Sequence, residues 1–119
     1  MYINTHINEH IFKTKIVSKP IDLQNGMMGK TFTKKYTAML FLSKEPLSSF
    51  WMKKCIIPLD IIFIKNNVIS KIHHNCPPCH SSKSECKRYK GTGDVVLEIL
   101  GGACKLLNIK KGDVIRFTS

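Results

Sequence analysis

The sequence predicts a mainly β protein, a single compact sandwich or barrel with one or two short helical turns. Two patterns indicate this class: short runs rich in β-branched and aromatic residues recur along the chain, and glycine, proline or asparagine separates them. No internal repeat or low-complexity tract divides the sequence, so we expect residues 1–119 to form one domain.

The first half of the chain contains three predicted strands and one helical turn. Apolar and polar residues alternate over 12–18 (FKTKIVS), as they do in a strand with one wet face. The segment 21–30 follows a proline and contains glycine, which predicts a short helical turn. Residues 36–43 and 50–55 are the next predicted strands.

Residues 59–66 (LDIIFIKN) predict the central strand of the fold. Successive side chains of a strand point to opposite faces, and both faces are apolar here. One face carries Leu59, Ile61 and Phe63, and the other carries Ile62 and Ile64.

A hairpin and a long loop are predicted next. Asparagine tolerates the positive φ of a tight turn, so Asn66 and Asn67 should lead into a strand over 68–74. Residues 75–93 contain two prolines and two glycines without an apolar period, which predicts one long loop. The remaining predicted elements are a strand at 94–101, a helical turn at 102–112 and a closing strand at 113–119.

The net charge of +11 favours acidic or polyanionic partners. Nucleic acid is therefore one possible partner. Specific contacts to nucleic acid, however, depend on arginine and on stacked aromatic residues, and Arg88 and Arg116 are the only arginines. A solvated lysine-rich surface is the preferred interpretation.

The sequence predicts a cytoplasmic protein without a membrane span. Its longest apolar run, CIIPLDIIFI, has ten residues, whereas a spanning helix needs about 20. The first residues lack the basic start and apolar core of a secretory signal. In a reducing compartment the five cysteines are expected to be thiols or metal ligands.

Two carboxylates on apolar strand faces suggest a polar pocket. Asp60 and Glu98 stand among aliphatic neighbours, and a buried carboxylate needs a partner, for which Lys53 is the nearest candidate. These three residues could line a ligand pocket beside Trp51. Alternatively, Asp60 fixes a backbone turn after Pro58 and Glu98 faces water.

The segment HHNCPPCHSSKSEC (73–86) is open to several interpretations. Its C-x-x-C-H could attach haem, but that chemistry takes place outside the cytoplasm and two prolines restrict the backbone. A zinc site would use Cys76, Cys79 and Cys86 with a histidine such as His80. A redox dithiol of Cys76 and Cys79 would have a depressed pKa beside His80 and the nearby cations. An ordered surface loop remains the plain alternative.

The central stretch FWMKKCIIPLDIIFI resembles the signature W-M-K-N-T-x-I-P-L-D-x-x-F of the domain-of-unknown-function family 192. NGMMGK, AMLFLS, VVLEILGG and IKKGDVIRF resemble its other elements, so the resemblance covers about 12–118. It implies a small, mostly β domain without an established activity. Lys54 departs from the pattern, because it stands where the family usually has asparagine.

The same resemblance bears on the cysteines. Family members commonly carry P-C…C-x-x-Y in this loop, which Pro78, Cys79, Cys86 and Tyr89 match. It implies that Cys79 and Cys86 are the inherited pair, able to form a disulfide in an oxidising compartment, and that Cys76 is an addition.

The sequence as a whole favours a non-enzymatic binding or accessory module. No serine or cysteine nucleophile has a convincing base beside it. No cofactor is required, zinc being the one candidate, and the partner could be a small molecule or a protein. The alternatives are a zinc-binding or thiol-redox cysteine-loop protein and a basic protein that associates with nucleic acid.

Overall fold

Strands dominate the structure. A computed structural model describes residues 1–80 and 85–119, and within them the chain forms nine strands and two short helices. In chain order these are β1 (Tyr2–Ile7), β2 (His10–Val17), α1 (Pro20–Asn25), β3 (Ala38–Leu42), β4 (Ser49–Trp51), β5 (Leu59–Lys65), β6 (Val68–Cys76), β7 (Arg88–Lys90), β8 (Val95–Leu100), α2 (Ala103–Leu106) and β9 (Ile115–Thr118).

Seven of these strands form one curled sheet in the order β6-β5-β8-β3-β2-β1-β9. The two edges approach each other at one end, where Val68 forms an isolated bridge with Val114 and the Ile69 N–H donates to the Asp113 carbonyl at 2.9 Å. The sheet is therefore a half-barrel, which confirms the predicted β-rich fold.

Strand β5 is central, as predicted. It pairs with β6 on one side and β8 on the other, and its residues 59–64 are all buried. Asn66 and Asn67 turn it into β6 with φ of 52° and 62°, the left-handed conformation that asparagine tolerates.

Two apolar clusters cover the two faces of the sheet. The inner cluster fills the half-barrel and includes Ile62, Leu97 and Cys104. The outer cluster includes Phe41 and Phe63 and is completed by segments that lie outside the seven-stranded sheet.

Those covering segments come from a crossover and from a second, small sheet. Strands β2 and β3 are parallel, so the chain between them must cross over the sheet, and it does so through α1 and residues 26–37. Strands β4 and β7 pair with each other and contribute Phe50 and Tyr89 to the outer cluster. A space for a site remains between the crossover and this two-stranded sheet.

Three elements differ from the sequence-based prediction. Strand β1 was not predicted, because its polar sequence YINTHI is recognisable only through its pairing with β2 and β9. Strand β7 lies inside the predicted loop 75–93. It is a strand because it pairs with β4, a distant segment that the local pattern does not reveal. Strand β4 ends at Trp51 rather than at residue 55, and Lys54, inside the predicted strand, has a φ of 61°, which no strand residue adopts. Among the residues that the structure describes, no helix is long and apolar enough to cross a membrane.

Candidate functional site

A cavity of about 260 Å³ lies over the outer face of the sheet, between the crossover and the two-stranded sheet. Its wall combines five polar side chains with an apolar majority that includes three aromatic rings. The polar residues are Gln24, Asn25, Ser49, Arg88 and Glu98, and the aromatic residues are Phe41, Phe50 and Trp51. We call this cavity the Trp51 pocket.

Glu98 supplies the carboxyl group of the pocket. Strand β8 lies between β5 and β3, so Glu98 is flanked by Ile61 and Met39 and is only 3% exposed. Among the described residues its carboxyl has no ion-pair or hydrogen-bonding partner, and burial raises its pKa from 4.5 to about 8. The carboxyl is therefore mostly protonated at pH 7, and it can both donate and accept a hydrogen bond.

Trp51 stands at the mouth of the pocket beside two cations. The Arg88 guanidinium carbon lies 4.0 Å from the centroid of the indole ring, and the Lys53 Nζ lies 4.9 Å from it. Trp51 and Arg88 are directly opposite each other in the pairing of β4 with β7. Stacking fixes the plane of the guanidinium and leaves its N–H edge available for a carboxylate.

Aromatic contacts hold the neighbouring wall in place. The Phe50 ring packs edge-on against Phe41, with centroids 5.1 Å apart, and against Phe63 at 5.9 Å. Gly26 closes the wall from the crossover, because a Cβ there would lie 3.2 Å from the Phe41 ring and its φ is +46°. The pocket is therefore preformed.

Asp60 does not belong to this pocket, contrary to the prediction. Its register partner is Ile99, whereas that of Ile61 is Glu98, so the two carboxylates point to opposite faces of the sheet. Asp60 is fully buried and accepts backbone N–H bonds from Asn75 at 2.7 Å, Gly102 at 3.0 Å and Cys104 at 2.8 Å.

Asp60 instead ties the end of β6 and the start of α2 to β5, which is a structural role, but not the one that the alternative predicted at a turn after Pro58. The other half of that alternative, a Glu98 that faces water, is wrong because the side chain is buried. Lys53 was expected to pair with a carboxylate, but in the described part of the chain it forms an ion pair with neither. Its ammonium lies against Trp51 instead.

The loop that contains Cys79 and Cys86, which we call the cysteine loop, lies beside the Trp51 pocket. Cys79 forms a disulfide with Cys86, and its backbone is bound to the segment after Trp51, with its N–H donating to the Met52 carbonyl at 3.0 Å. Four of the loop residues, 81–84, lie outside the described residues. Arg88 lies two residues after Cys86, so the disulfide before it and the pairing of β7 with β4 both hold its backbone in place.

The remaining candidate of the loop, Cys76, is buried rather than reactive. Burial, with a smaller contribution from Asp60, raises the pKa of the Cys76 thiol to about 11, opposite to the depression expected for a redox dithiol with Cys79. His80 is exposed. The structure describes no cluster of three or more potential metal ligands in residues 1–80 and 85–119. A zinc site of Cys76, Cys79, Cys86 and His80 would need the reduced loop and stays a prediction.

Comparison with known proteins places the chain in a family. The family model described as DUF192, Uncharacterized ACR, matches residues 2–117. The chain belongs to the DUF192 family. No curated protein matches this DUF192 protein.

Two solved structures are similar to this DUF192 protein. One is a protein of unknown function from Novosphingobium aromaticivorans, with 28% sequence identity and a TM-score of 0.78, covering 97% of this chain and 83% of that one. The other is described as a putative transcription regulator from Sinorhizobium meliloti, with 26% identity and a TM-score of 0.78, covering 98% and 92%.

Lys54, which stands where the resemblance seen in the sequence expects asparagine, lies in a turn. Lys54 has a φ of 61°, a conformation that asparagine adopts more readily than lysine. Its carbonyl accepts from the Gly29 N–H at 2.9 Å and its N–H donates to the Cys79 carbonyl at 3.1 Å. The position therefore requires a turn conformation, and no side-chain hydrogen bond is needed to explain an asparagine there.

Of the residues that line the Trp51 pocket, Trp51 and Glu98 were candidates from the sequence, whereas Arg88 and the crossover residues were not. Arg88 is one of two arginines in a lysine-rich chain, which was the available signal. Gln24 and Asn25 carried no signal, because their place over the sheet follows from the parallel pairing of β2 with β3.

Proposed function

We propose that this protein is a non-enzymatic binding module whose Trp51 pocket holds a small organic acid that also carries a hydroxyl or amino group. The observation that carries this proposal is the buried Glu98 carboxyl, which lines the cavity without a protein partner in the described chain. Among the described residues no fully buried side-chain oxygen lacks a hydrogen-bonding partner, so the Glu98 carboxyl is reached from the cavity, where a ligand can hydrogen-bond to it.

The two ends of the pocket support the choice of ligand. Arg88 stands at the mouth with a planar fork of donors that matches a carboxylate. Glu98 lies deeper in the pocket, since it is buried whereas Arg88 is exposed. The aromatic and aliphatic wall between them suits a short hydrocarbon body. A volume of about 260 Å³ limits the ligand to a small molecule.

The proposal is tested by titrating the protein with amino acids, 2-hydroxy acids and neutral polyols. Trp51, the single tryptophan of the chain, reports binding through its fluorescence. We expect the acids to shift the emission and raise the melting temperature, and the polyols to bind more weakly. Glu98→Leu and Arg88→Gln should each weaken binding at least tenfold, whereas Glu9→Gln, at an exposed glutamate, should leave it unchanged.

The pH dependence separates the two ligand types. An amino group that ionises Glu98 on binding gains affinity as the pH rises towards 8. A ligand whose hydroxyl oxygen accepts a hydrogen bond from the neutral Glu98 carboxyl loses affinity above about pH 8, where the carboxyl is ionised. Binding that is equal in Glu98→Leu and in the parent protein, or no change in Trp51 emission with any of the compounds, would contradict the proposal.

Association with nucleic acid is the second candidate function. It is favoured by the net charge of +11 and by the structural relative described as a putative transcription regulator. Binding to DNA or RNA should fall steeply with salt. The absence of binding at low salt would remove this candidate.

A further inference from the structure

A second concavity, of about 490 Å³, lies where the half-barrel remains open. One wall is β6, the last strand at its edge of the sheet, and the other is formed by α2 and the segment that follows it. The edges meet only near Val68 and Val114, so further along β6 the strand has no second strand partner in the described chain. We call this concavity the lysine groove.

The lysine groove is strongly basic. Among the described residues its lining contains no carboxylate. It includes four exposed lysines, which are Lys71, Lys105, Lys110 and Lys111. Two carboxylates that accept backbone bonds from lining residues are already engaged. Asp60 lies behind Cys104 and accepts three backbone N–H bonds, and Asp113 accepts the Lys110 N–H at 2.8 Å.

The floor of the groove is apolar, and a backbone hydrogen bond holds it in place. Cys104 and Ile109 are buried, and the Ile109 N–H donates to the Cys104 carbonyl at 2.8 Å. Between them Asn108 has a φ of 57°, which turns the chain so that Lys110 and Lys111 return to the rim. Ile72 continues the apolar surface on β6.

We propose that the lysine groove binds a small organic molecule that carries at least two phosphate groups, of the size of a nucleoside diphosphate. Four ammonium groups around a concave surface match clustered phosphate charge, and the apolar floor can take the organic body. The volume is of the size of small-ligand sites. The described part of the lining contains no Phe, Tyr or Trp on which successive bases could stack, which favours a small ligand over single-stranded nucleic acid.

This inference does not rest on the Trp51 pocket, because the two sites share no lining residue. The test uses inorganic pyrophosphate, ADP and a 12-nucleotide single-stranded DNA as probes, measured by calorimetry at low salt. The variant is Lys105→Gln with Lys110→Gln. The matched control is Lys34→Gln with Lys35→Gln, which removes the same charge from an exposed part of the crossover.

We expect ADP to bind more tightly than pyrophosphate, because it also covers the apolar floor. The groove variant should weaken both at least tenfold, and the control variant should change them less than twofold. Equal losses in the two variants would overturn the proposal in favour of diffuse attraction to net charge. DNA binding that is lost in the groove variant without any binding of ADP would replace it with a nucleic-acid site. No binding of any probe at low salt would also overturn it.

Discussion

The Arg88 guanidinium lies over the Trp51 indole, 4.0 Å from the ring centroid, and the two residues are paired across β4 and β7. The indole is therefore shielded by a side chain from a strand that enters the fold 37 positions later in the sequence. Because Trp51 is the single tryptophan, this contact can be observed directly.

Arg88→Gln should uncover the indole. We expect the Trp51 emission to move to longer wavelength, acrylamide quenching to increase, and the free energy of unfolding to fall by about 0.5–1 kcal/mol through loss of the cation–π contact. Arg116→Gln, at the other arginine, is the control and should leave emission unchanged. An unaltered spectrum in Arg88→Gln would contradict the stacked arrangement.

The Glu98 carboxyl should make stability depend on pH. The folded protein keeps its proton up to about pH 8, whereas the unfolded chain releases it near 4.5. Between these values the folded state binds more protons, so the free energy of unfolding falls as the pH rises, by about 1.4 kcal/mol per pH unit from this group.

Urea denaturation of the parent protein and of Glu98→Gln from pH 5 to pH 9 measures this effect. The neutral amide has no proton to release, so the variant should gain on the parent protein steadily up to about pH 8. Glu9→Gln should follow the parent. Parallel curves for Glu98→Gln and the parent would show that the carboxyl is ionised in the fold.

Asp60→Asn should destabilise the protein without altering the Trp51 pocket. The amide cannot accept all three buried backbone N–H bonds, and we expect a loss of about 2–4 kcal/mol. Asp94→Asn is the control, since Asp94 accepts one exposed bond from the Asn66 N–H. It should cost about 1 kcal/mol or less. A changed Trp51 emission in folded Asp60→Asn would argue against the separation of the two faces.

Lys54→Asn should stabilise the protein by about 0.5–1 kcal/mol, because asparagine adopts positive φ at lower cost than lysine. Lys44→Asn makes the same exchange at an exposed position without positive φ and should change stability by less than about 0.5 kcal/mol. Thermal denaturation measures both. A Lys54→Asn variant less stable than the parent would show that the lysine side chain has a role of its own.

The Cys79–Cys86 disulfide closes a short ring, so its loss should cost about 2–3 kcal/mol. We expect a reducing agent to lower the melting temperature of the parent protein and to leave that of Cys79→Ser with Cys86→Ser unchanged.

The same comparison of the reduced parent protein with the double variant tests for a zinc site. If added Zn²⁺ stabilises the reduced parent but not the double variant, the metal site predicted from the sequence gains support.

The sequence was sufficient for the parts of the fold that depend on local pattern. The two apolar faces of β5 predicted its central place, and Asn66 with Asn67 predicted the hairpin. Strand β1 could not be predicted in this way, because its neighbours β2 and β9 rather than its own residues make it a strand.

The site was predicted in part for a similar reason. Alternation along single strands indicates that Asp60 and Glu98 are carboxylates on apolar strand faces. Only the register between β5 and β8 decides which face of the sheet each occupies. Arg88 came to the Trp51 pocket through the pairing of β4 with β7, a relationship between distant segments that no local pattern reveals.

The pairing of β1 with β9 has a consequence for synthesis on the ribosome. Strand β1 hydrogen-bonds to the strand at residues 115–118, so at about 5–20 residues per second β1 waits for several seconds before that partner exists. Until then the nascent chain has β2 as its local partner, and a two-stranded hairpin alone is only marginally stable. The growing polypeptide therefore exposes an unpaired edge of β1 until β9 has been made.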